Sequence, residues 1–261
     1  MIELSMRGRG AIVTGGSKGL GLAIAENYLK AGANVAIVAR TQATLDEARQ
    51  SVASAGPGRT VAIAADVATA DGCTRAFKTA EAALGQIDVL VNNAGISAAM
   101  PFADVTDEIW QLDIDLKLFA AIRLARLALP GMKARRWGRI INVLNIGAKA
   151  PRAGSAPTSV TRAAGLALTK VLANEGAAHN VLVNALHVGI IESDQWVRRH
   201  ATEGKGLSLS EYYAEMGKRV PLGRLGKAEE FANMATFLAS DAGSYVTGTS
   251  INVDGGSSPV V

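Results

Sequence analysis

The sequence predicts a doubly wound α/β fold of the Rossmann type, in which a parallel sheet of about seven strands is covered by helices on both faces. Of the 261 residues, 49% are hydrophobic but only 5% are aromatic, so the core must consist mainly of Ala, Val, Ile and Leu. This composition suits a parallel sheet that is buried on both sides. Short apolar runs also alternate with helical patterns along the whole chain, which indicates right-handed βαβ crossovers.

The strands are predicted where short apolar runs occur, and the helices where apolar residues recur at helical spacing. The predicted strands are Ala11–Thr14, Asn34–Ala39, Thr60–Ala65, Val89–Asn92, Arg139–Leu144, Val181–Leu186 and Ser250–Val253. The predicted helices are Leu20–Ala31, Thr41–Ala55, Ala70–Leu84, Asp107–Lys133 and Ala163–His179. We interpret residues 1–261 as a single domain, because no linker or repeat interrupts the pattern. The irregular stretch Gly189–Gly226 is predicted to cover a site.

Composition and charge exclude several classes of function. The formal net charge is +4, and no long run of Lys or Arg occurs, so a nucleic-acid partner is not indicated. A single cysteine, Cys73, excludes an internal disulfide and a cysteine-based zinc site, and no metal site is predicted. Neither an apolar signal region nor a run long enough to span a membrane is present. We therefore expect a cytoplasmic protein that acts on a small-molecule substrate.

A glycine-rich turn joins the first predicted strand to the first predicted helix. The sequence from Thr14 to Gly21 is TGGSKGLG. Glycines in such a turn let the backbone approach a pyrophosphate, whose negative charge then lies at the N-terminus of the helix. Because the turn follows a strand, opens a helix and lies at the first crossover, it predicts a dinucleotide site.

The end of the second strand favours one form of the dinucleotide. An acidic residue there would accept a hydrogen bond from a ribose 2′-hydroxyl and repel a 2′-phosphate. This chain has Arg40 instead, and Lys18 lies in the glycine turn. Two cations that can converge on the ribose favour a 2′-phosphate, which an arginine can clamp with two hydrogen bonds. We predict NADP(H), with NAD(H) as the less favoured alternative.

The spacing T-G-x-x-x-G-x-G resembles that of the short-chain dehydrogenase/reductase family. The resemblance continues through Asp66-Val67, the sequence NNAG at 92–95, GRIINV at 138–143, Val183-Asn184-Ala185 with Val188-Gly189, and Asp254-Gly255-Gly256. By this resemblance, the cofactor contacts fall on Gly15, Ser17, Lys18, Gly19, Leu20, Gly21, Arg40, Asp66, Val67, Asn92, Ala94, Gly95, Arg162, Gly189, Ile191 and Ser193. The resemblance also implies a dimer or tetramer that pairs through the helices matching Asp107–Lys133 and Thr158–His179.

The residues at the four catalytic positions of the family are all different in this chain. In the family, a tyrosine transfers the alcohol proton, a lysine follows it by four residues, a serine precedes it by thirteen, and an asparagine lies further upstream. The corresponding positions here are Thr158, Arg162, Asn145 and, as we interpret the spacing, Asp115. Residues 150–165 contain no tyrosine and no lysine, so a shift of frame does not restore the pattern.

The four replacements nevertheless keep polar chemistry. Asn145 retains an amide donor for a carbonyl oxygen or an oxyanion. Arg162 retains a cation that could bind the ribose, but it cannot act as a base near neutral pH. Thr158 keeps a hydroxyl, although this is a much weaker acid than a phenol. Asp115 could act as a base if its pKa is raised.

Side chains of the covering segment and the sixth strand offer further candidates for the missing proton donor. His187 follows the sixth strand, where sites of this fold lie, while His200, Tyr212 and Tyr213 belong to the covering segment. Apolar residues in the same segment predict a partly apolar substrate pocket. These residues are Trp196, Leu207, Leu209, Tyr212 and Met216.

The sequence is compatible with three functions. The favoured one is an NADP(H)-dependent oxidoreductase with a non-standard active site, acting on a small carbonyl, imine or activated alkene. A second is a non-redox enzyme on the same scaffold, because the halohydrin dehalogenases resemble this family and have an arginine at the position of Arg162. A third is a catalytically inactive NADP(H)-binding protein.

Overall fold

Seven parallel strands form one sheet in the order β3-β2-β1-β4-β5-β6-β7 in the computed structural model, which describes residues 4–204 and 206–261. The predicted fold is confirmed, and the described chain forms a single domain. The strands are β1 (Gly10–Thr14), β2 (Asn34–Ala39), β3 (Thr60–Ala64), β4 (Val89–Asn92), β5 (Gly138–Asn145), β6 (Val181–Val188) and β7 (Ser250–Val253).

Helices connect these strands and cover both faces of the sheet. They are α1 (Gly19–Lys30), α2 (Gln42–Ser51), α3 (Ala70–Leu84), α4 (Asp107–Ile114), α5 (Ala120–Arg135), α6 (Thr158–Ala177), α7 (Asp194–Glu203), α8 (Leu209–Gly217) and α9 (Ala228–Ala239). The long predicted helix Asp107–Lys133 is divided in the structure, because a π-helical turn at Asp115–Phe119 joins α4 to α5.

Successive residues of a strand contribute to opposite layers of the core. In β1, Val13 packs in the cluster with Tyr28 of α1 and Phe231 of α9. Its neighbour Ile12 packs in the other cluster with Leu124 of α5. All residues of β1 are buried, which explains why the strand is apolar throughout and shows no alternation in the sequence.

The strand order reverses between β1 and β4, and this reversal opens a crevice at the carboxyl ends of the strands. Thr14 links the two sides of the crevice, β1 and the end of β4, by hydrogen bonds. Its Oγ1 donates to the Val91 carbonyl at 3.1 Å and accepts from the amides of Asn93 and Ala94 at 2.9 and 3.0 Å. The glycine turn after β1 is therefore held at a fixed distance from the loop after β4.

The start of α6 differs from the predicted one. The helix begins at Thr158, directly after Pro157, and not at the predicted Ala163. Proline restricts its own backbone to values compatible with a helix start, so the helix can begin early. Thr158 and Arg162 consequently lie four residues apart on one helical face.

The described ranges show neither a helix long and apolar enough to cross a membrane nor a group of three or more His, Cys, Asp or Glu residues that could hold a metal ion. Cys73 is buried in α3, where its thiol donates to the Val67 carbonyl and burial raises its pKa to about 11.

Candidate active site

The glycine turn has the shape that a pyrophosphate cradle requires. Gly15 and Gly19 have φ angles of +63° and +52°, which disfavour residues with a side chain. A Cβ atom on Gly21 would lie 2.2 Å from the Gly15 carbonyl oxygen, so only glycine fits there. Lys18, at the N-cap of α1, makes no side-chain capping bond to the first amides of the helix. The first amides of α1 therefore remain suited to an anion, and the turn fits a dinucleotide.

The loop after β4 is attached to this turn by side-chain amides. Asn93 Nδ2 donates to the carbonyls of Thr14 at 2.9 Å and of Gly15 at 3.2 Å. Asn92 Nδ2 donates to Asn142 Oδ1 at 2.8 Å and so fixes the end of β4 to β5. The predicted cofactor positions Asn92, Ala94 and Gly95 thus belong to a segment that is held beside the glycine turn.

The polar residues expected near the adenosine lie along the same edge of the sheet. Arg40 directly follows β2 and is exposed, and Asp66 follows β3, where its carboxylate accepts from the Ala68 amide at 3.0 Å. Because β2 lies between β1 and β3, Arg40 is located between the glycine turn and Asp66. Lys18 is also exposed, whereas Val67 is buried.

A cavity of about 210 Å³ joins the two ends of the crevice. The covering segment closes one side of it through the side chains of Ile191 and Trp196, while Ser193 lies opposite Gly19 in the glycine turn. Gly189 lies so close to Asp254 that a Cβ atom would approach its Cα to 2.5 Å. The predicted residues that line the cavity are Leu20, Gly95, Asn145, Thr158, Arg162, Gly189, Ile191 and Ser193.

Asn145 ends β5 at the floor of this cavity. Its backbone carbonyl accepts from His187 Nδ1 at 2.8 Å, and His187 Nε2 accepts from Ser250 Oγ at 2.7 Å. Burial lowers the pKa of His187, and this favours a neutral ring with its proton on Nδ1. His187 therefore holds the backbone of Asn145 by a hydrogen bond and does not line the cavity. The buried Asn145 Oδ1 has no hydrogen-bond partner in the described structure.

Arg162 extends from α6 across the floor. Its Nη1 donates to the Val143 carbonyl at 2.5 Å, and a Cβ atom on Gly95 would lie 2.5 Å from Nη2. Gly95 therefore leaves the space that the guanidinium occupies. Burial lowers the pKa of Arg162 to about 10, and the negative charge of Asp113 opposes this shift. The residue remains a cation at neutral pH.

Thr158 opens α6 with its hydroxyl at the cavity. Its Oγ1 accepts from the Ala98 amide and from Lys117 Nζ, both at 3.0 Å. Since both bonds are accepted, the hydroxyl hydrogen is available for another acceptor.

Lys117 reaches Thr158 from the π-helical turn and is almost fully buried. Its Nζ also forms an ion pair with Asp113 one helical turn earlier, and Thr161 Oγ1 donates to the second oxygen of that carboxylate at 2.6 Å. Burial lowers the pKa of Lys117 to about 8, and the positive charge of Arg162 adds to this effect, while Asp113 opposes it.

Asp115 was predicted at a catalytic position, but it lies on a side of the helix that does not face the cavity. Its carboxylate accepts from Gln111 Nε2 at 2.8 Å and from Arg123 Nη2 at 3.2 Å, and it does not line the cavity. Residues two apart lie about 200° apart around a helix, so Asp115 and Lys117 cannot face the same way. The structure brings Lys117, and not Asp115, to Thr158.

Sequence reasoning missed Lys117 and its partner Asp113. The spacing of an acid and a base four residues apart in a largely apolar segment is the signal that could have indicated them. The π-helical turn that aims Lys117 at α6 leaves no comparable mark in the sequence.

The remaining candidates for a proton donor do not line the cavity. Tyr212 packs against Met216 and Leu225, with its ring centroid 5.4 Å from that of His200. His200 Nε2 lies 2.7 Å from the Leu207 carbonyl, and Tyr213 borders a separate cavity.

Comparisons with known proteins agree with this geometry. Residues 15–258 match the family model described as enoyl-(acyl carrier protein) reductase. The chain belongs to the short-chain dehydrogenase/reductase family. An acetoacetyl-CoA reductase of Rhizobium meliloti is 37% identical over 248 residues, covering 95% of this chain and 98% of that protein. A 3-oxoacyl-(acyl-carrier-protein) reductase of Aquifex aeolicus is 32% identical over 255 residues, covering 98% and 99% respectively.

A solved member of the family extends the agreement to the whole fold. The structure of L-sorbose reductase from Gluconobacter frateurii, complexed with NADPH and L-sorbose, superposes with a TM-score of 0.94 at 35% identity over the full length of both chains. The predicted resemblance and enzyme class are confirmed: this short-chain dehydrogenase/reductase is an NAD(P)-dependent oxidoreductase. The expected cofactor is NADP(H), and the L-sorbose reductase structure is a complex with NADPH.

Proposed function

We propose that the protein is an NADP(H)-dependent reductase of a small carbonyl, imine or activated alkene, and that it uses an active site without the Asn-Ser-Tyr-Lys set of its family. The observation that carries this proposal is the cavity, which joins the glycine turn to Asn145, Thr158 and Arg162. No tyrosine or histidine lines it among the residues that the structure describes. A different donor must therefore serve the substrate.

The cofactor-binding residues fit a dinucleotide phosphate. The glycine turn would hold the pyrophosphate, and Arg40 with Lys18 would hold the 2′-phosphate. Arg162 and Ser193, which both line the cavity, would hold the nicotinamide half. When bound, the reduced nicotinamide supplies a hydride to the substrate. The NADPH complex of the L-sorbose reductase supports this assignment.

The substrate end is built from Asn145 and Thr158. The Asn145 side-chain amide supplies a hydrogen-bond donor at the floor, where it can polarise a carbonyl or imine. Thr158 adds a hydroxyl whose oxygen is already held by two donors. Trp196 adds an apolar surface to the lining of the cavity, which favours a substrate with a small apolar group.

We also propose self-association to a dimer or tetramer. Apolar side chains remain exposed on the π-helical turn and on the helices that flank it, and they would be covered in such an assembly. They are Leu112 on α4, Phe119 in the π-helical turn, and Val160 and Val171 on α6.

The proposal is tested by following NADPH oxidation by the purified protein with a panel of ketones, aldehydes, cyclic imines and enones. We expect turnover with at least one of these classes, and a loss of about 10²-fold or more in kcat/KM for Asn145→Ala, because one oxyanion-type donor is removed. Tight NADPH binding without turnover of any compound would show an inactive binding protein instead. Cofactor-independent halide release from a halo-alcohol would show the non-redox alternative.

A further inference from the structure

We propose that Lys117 is the source of the substrate proton, which it delivers through the hydroxyl of Thr158. The inference rests on the proposed reductase function and names the donor that replaces the tyrosine of the family. Thr158 is then the catalytic residue that touches the substrate, and Lys117 acts through it.

The contacts form a directed chain. Lys117 Nζ donates to Thr158 Oγ1 at 3.0 Å, and the Ala98 amide donates to the same oxygen at 3.0 Å. With both acceptor positions of Oγ1 filled from the protein side, the hydroxyl hydrogen is directed to the remaining side. That side is the cavity, because Thr158 lines it.

The charges around Lys117 make its ammonium group a usable acid. The facing charged groups are the Asp113 carboxylate, on the preceding turn of its own helix, and the Arg162 guanidinium from α6. Burial and the positive charge of Arg162 both disfavour the charged form of Lys117, so the pKa of Lys117 falls to about 8. A group with a pKa near the working pH is an effective general acid.

The other polar groups of the floor are poorer donors. An asparagine amide such as Asn145 holds hydrogen bonds but does not give up a proton near neutral pH. The pKa of Arg162 remains about 10, two units above that of Lys117. Lys117 is thus the strongest acid among the cations in contact with Thr158 and its neighbours.

The proton balance of the reduction is complete with these groups. The substrate carbon accepts the hydride, the C=O or C=N π bond breaks, and the oxygen or nitrogen takes the proton of Thr158 Oγ1. Thr158 takes a proton from Lys117 Nζ as it gives up its own. Lys117 is left as a neutral amine and regains a proton from solvent before the next turnover.

The test compares four variants of the relay and one surface control with the wild type. Lys117→Arg keeps the charge, but the arginine side chain cannot donate a proton in this pH range. Lys117→Met combined with Asp113→Asn removes both charges together, so no unpaired carboxylate remains in the core. Thr158→Val removes the hydroxyl, while Thr158→Ser retains it. Lys78→Met, an exposed lysine on α3, is the matched control.

We expect kcat for reduction to fall about 10²-fold or more in both Lys117 variants and in Thr158→Val, because general acid catalysis contributes roughly 10²- to 10⁴-fold. Thr158→Ser should retain most of kcat, and the affinity for NADPH should stay within about twofold throughout. In the wild type, kcat should fall as the pH rises through about 8, where Lys117 loses its proton. Lys117→Arg should lack this decrease.

A second readout does not depend on turnover. Selective carbon-13 labelling of the lysine side chains allows their titration to be followed by NMR. One resonance should titrate near pH 8 in the wild type and be missing in Lys117→Arg but present in Lys78→Met. If no lysine titrates below about pH 9, the relay is wrong whatever the activity.

The two proposals fail in different ways. An active wild type whose Lys117→Arg variant keeps full kcat and the same pH profile would overturn the relay and leave the reductase function standing. A wild type that binds NADPH but reduces nothing in the panel would overturn the reductase function, and the relay with it.

Discussion

The two ends of the crevice are built in different ways. At the cofactor end, the glycine turn after β1 is shaped by backbone geometry, with Gly15 at positive φ and Gly21 pressed against its carbonyl. At the proposed substrate end, buried side chains from three separate segments meet. There, Lys117, Asp113 and Thr158 depend on one another for their hydrogen bonds.

This difference determines how each end responds to sequence change. A backbone cradle admits only residues that fit its φ angles and its close contacts, so its sequence is restricted. A side-chain cluster can exchange its members, provided that charge and hydrogen bonds remain balanced. In our proposal, the substrate end has undergone such an exchange relative to the pattern of its family, while the glycine turn keeps the family spacing.

The largest effect on stability is expected from breaking the buried ion pair. Asp113→Ala would leave the Lys117 ammonium without its carboxylate, and we expect the free energy of unfolding to fall by about 3–5 kcal/mol. Denaturant unfolding measures this change. Asp115→Ala is the control, because its pair with Arg123 is partly exposed and is expected to contribute about 1 kcal/mol or less. Equal losses in the two variants would contradict our description of the cluster.

An intermediate effect is expected from a methyl group in the cradle. Gly21→Ala places a Cβ atom 2.2 Å from the Gly15 carbonyl oxygen, and relieving this overlap should cost about 1–3 kcal/mol. We expect NADPH to bind about 10- to 100-fold more weakly, as measured by fluorescence titration. Gly131→Ala on α5 is the control, since its Cβ would meet only the flexible end of Arg135. Unchanged affinity in Gly21→Ala would show that the turn is not the phosphate cradle.

The smallest effect is expected from reversing one surface charge. Arg40→Glu removes the proposed clamp on the 2′-phosphate, and NADPH affinity should fall about tenfold or more while NADH affinity stays within about threefold. Titration of both cofactors against the variant measures the ratio. Arg49→Glu makes the same charge change on α2, so it separates a local contact from a long-range field. A parallel loss in both variants would argue against a specific contact.

The sequence predicted the backbone-determined features closely. Strands β2, β4 and β7 and helix α3 have the predicted bounds. Helix α3 is well delimited because Thr69 caps its first turn and Gly85 follows its last residue. It also predicted that Asn145, Thr158 and Arg162 would occupy one site, and the cavity brings them together.

The polar cluster was predicted only in part, for a physical reason. Thr158 lies 41 residues after Lys117 in sequence, and the hydrogen bond between them exists only in the folded chain. The choice between Asp115 and Lys117 depends on helix register. The register changes at a π-helical turn, which single-sequence periodicity does not resolve.

The π-helical turn between α4 and α5 determines the direction in which each of its side chains points, independently of which residue carries that side chain. Each residue of an α-helix adds about 100° of rotation, and a π-helical turn accommodates one extra residue without breaking the helix. Lengthening or shortening the segment Asp115–Phe119 by a single residue would therefore turn a different side chain towards Thr158 while α5 continued to pack against α3. At this point of the fold, the number of residues in the turn determines which functional group faces Thr158.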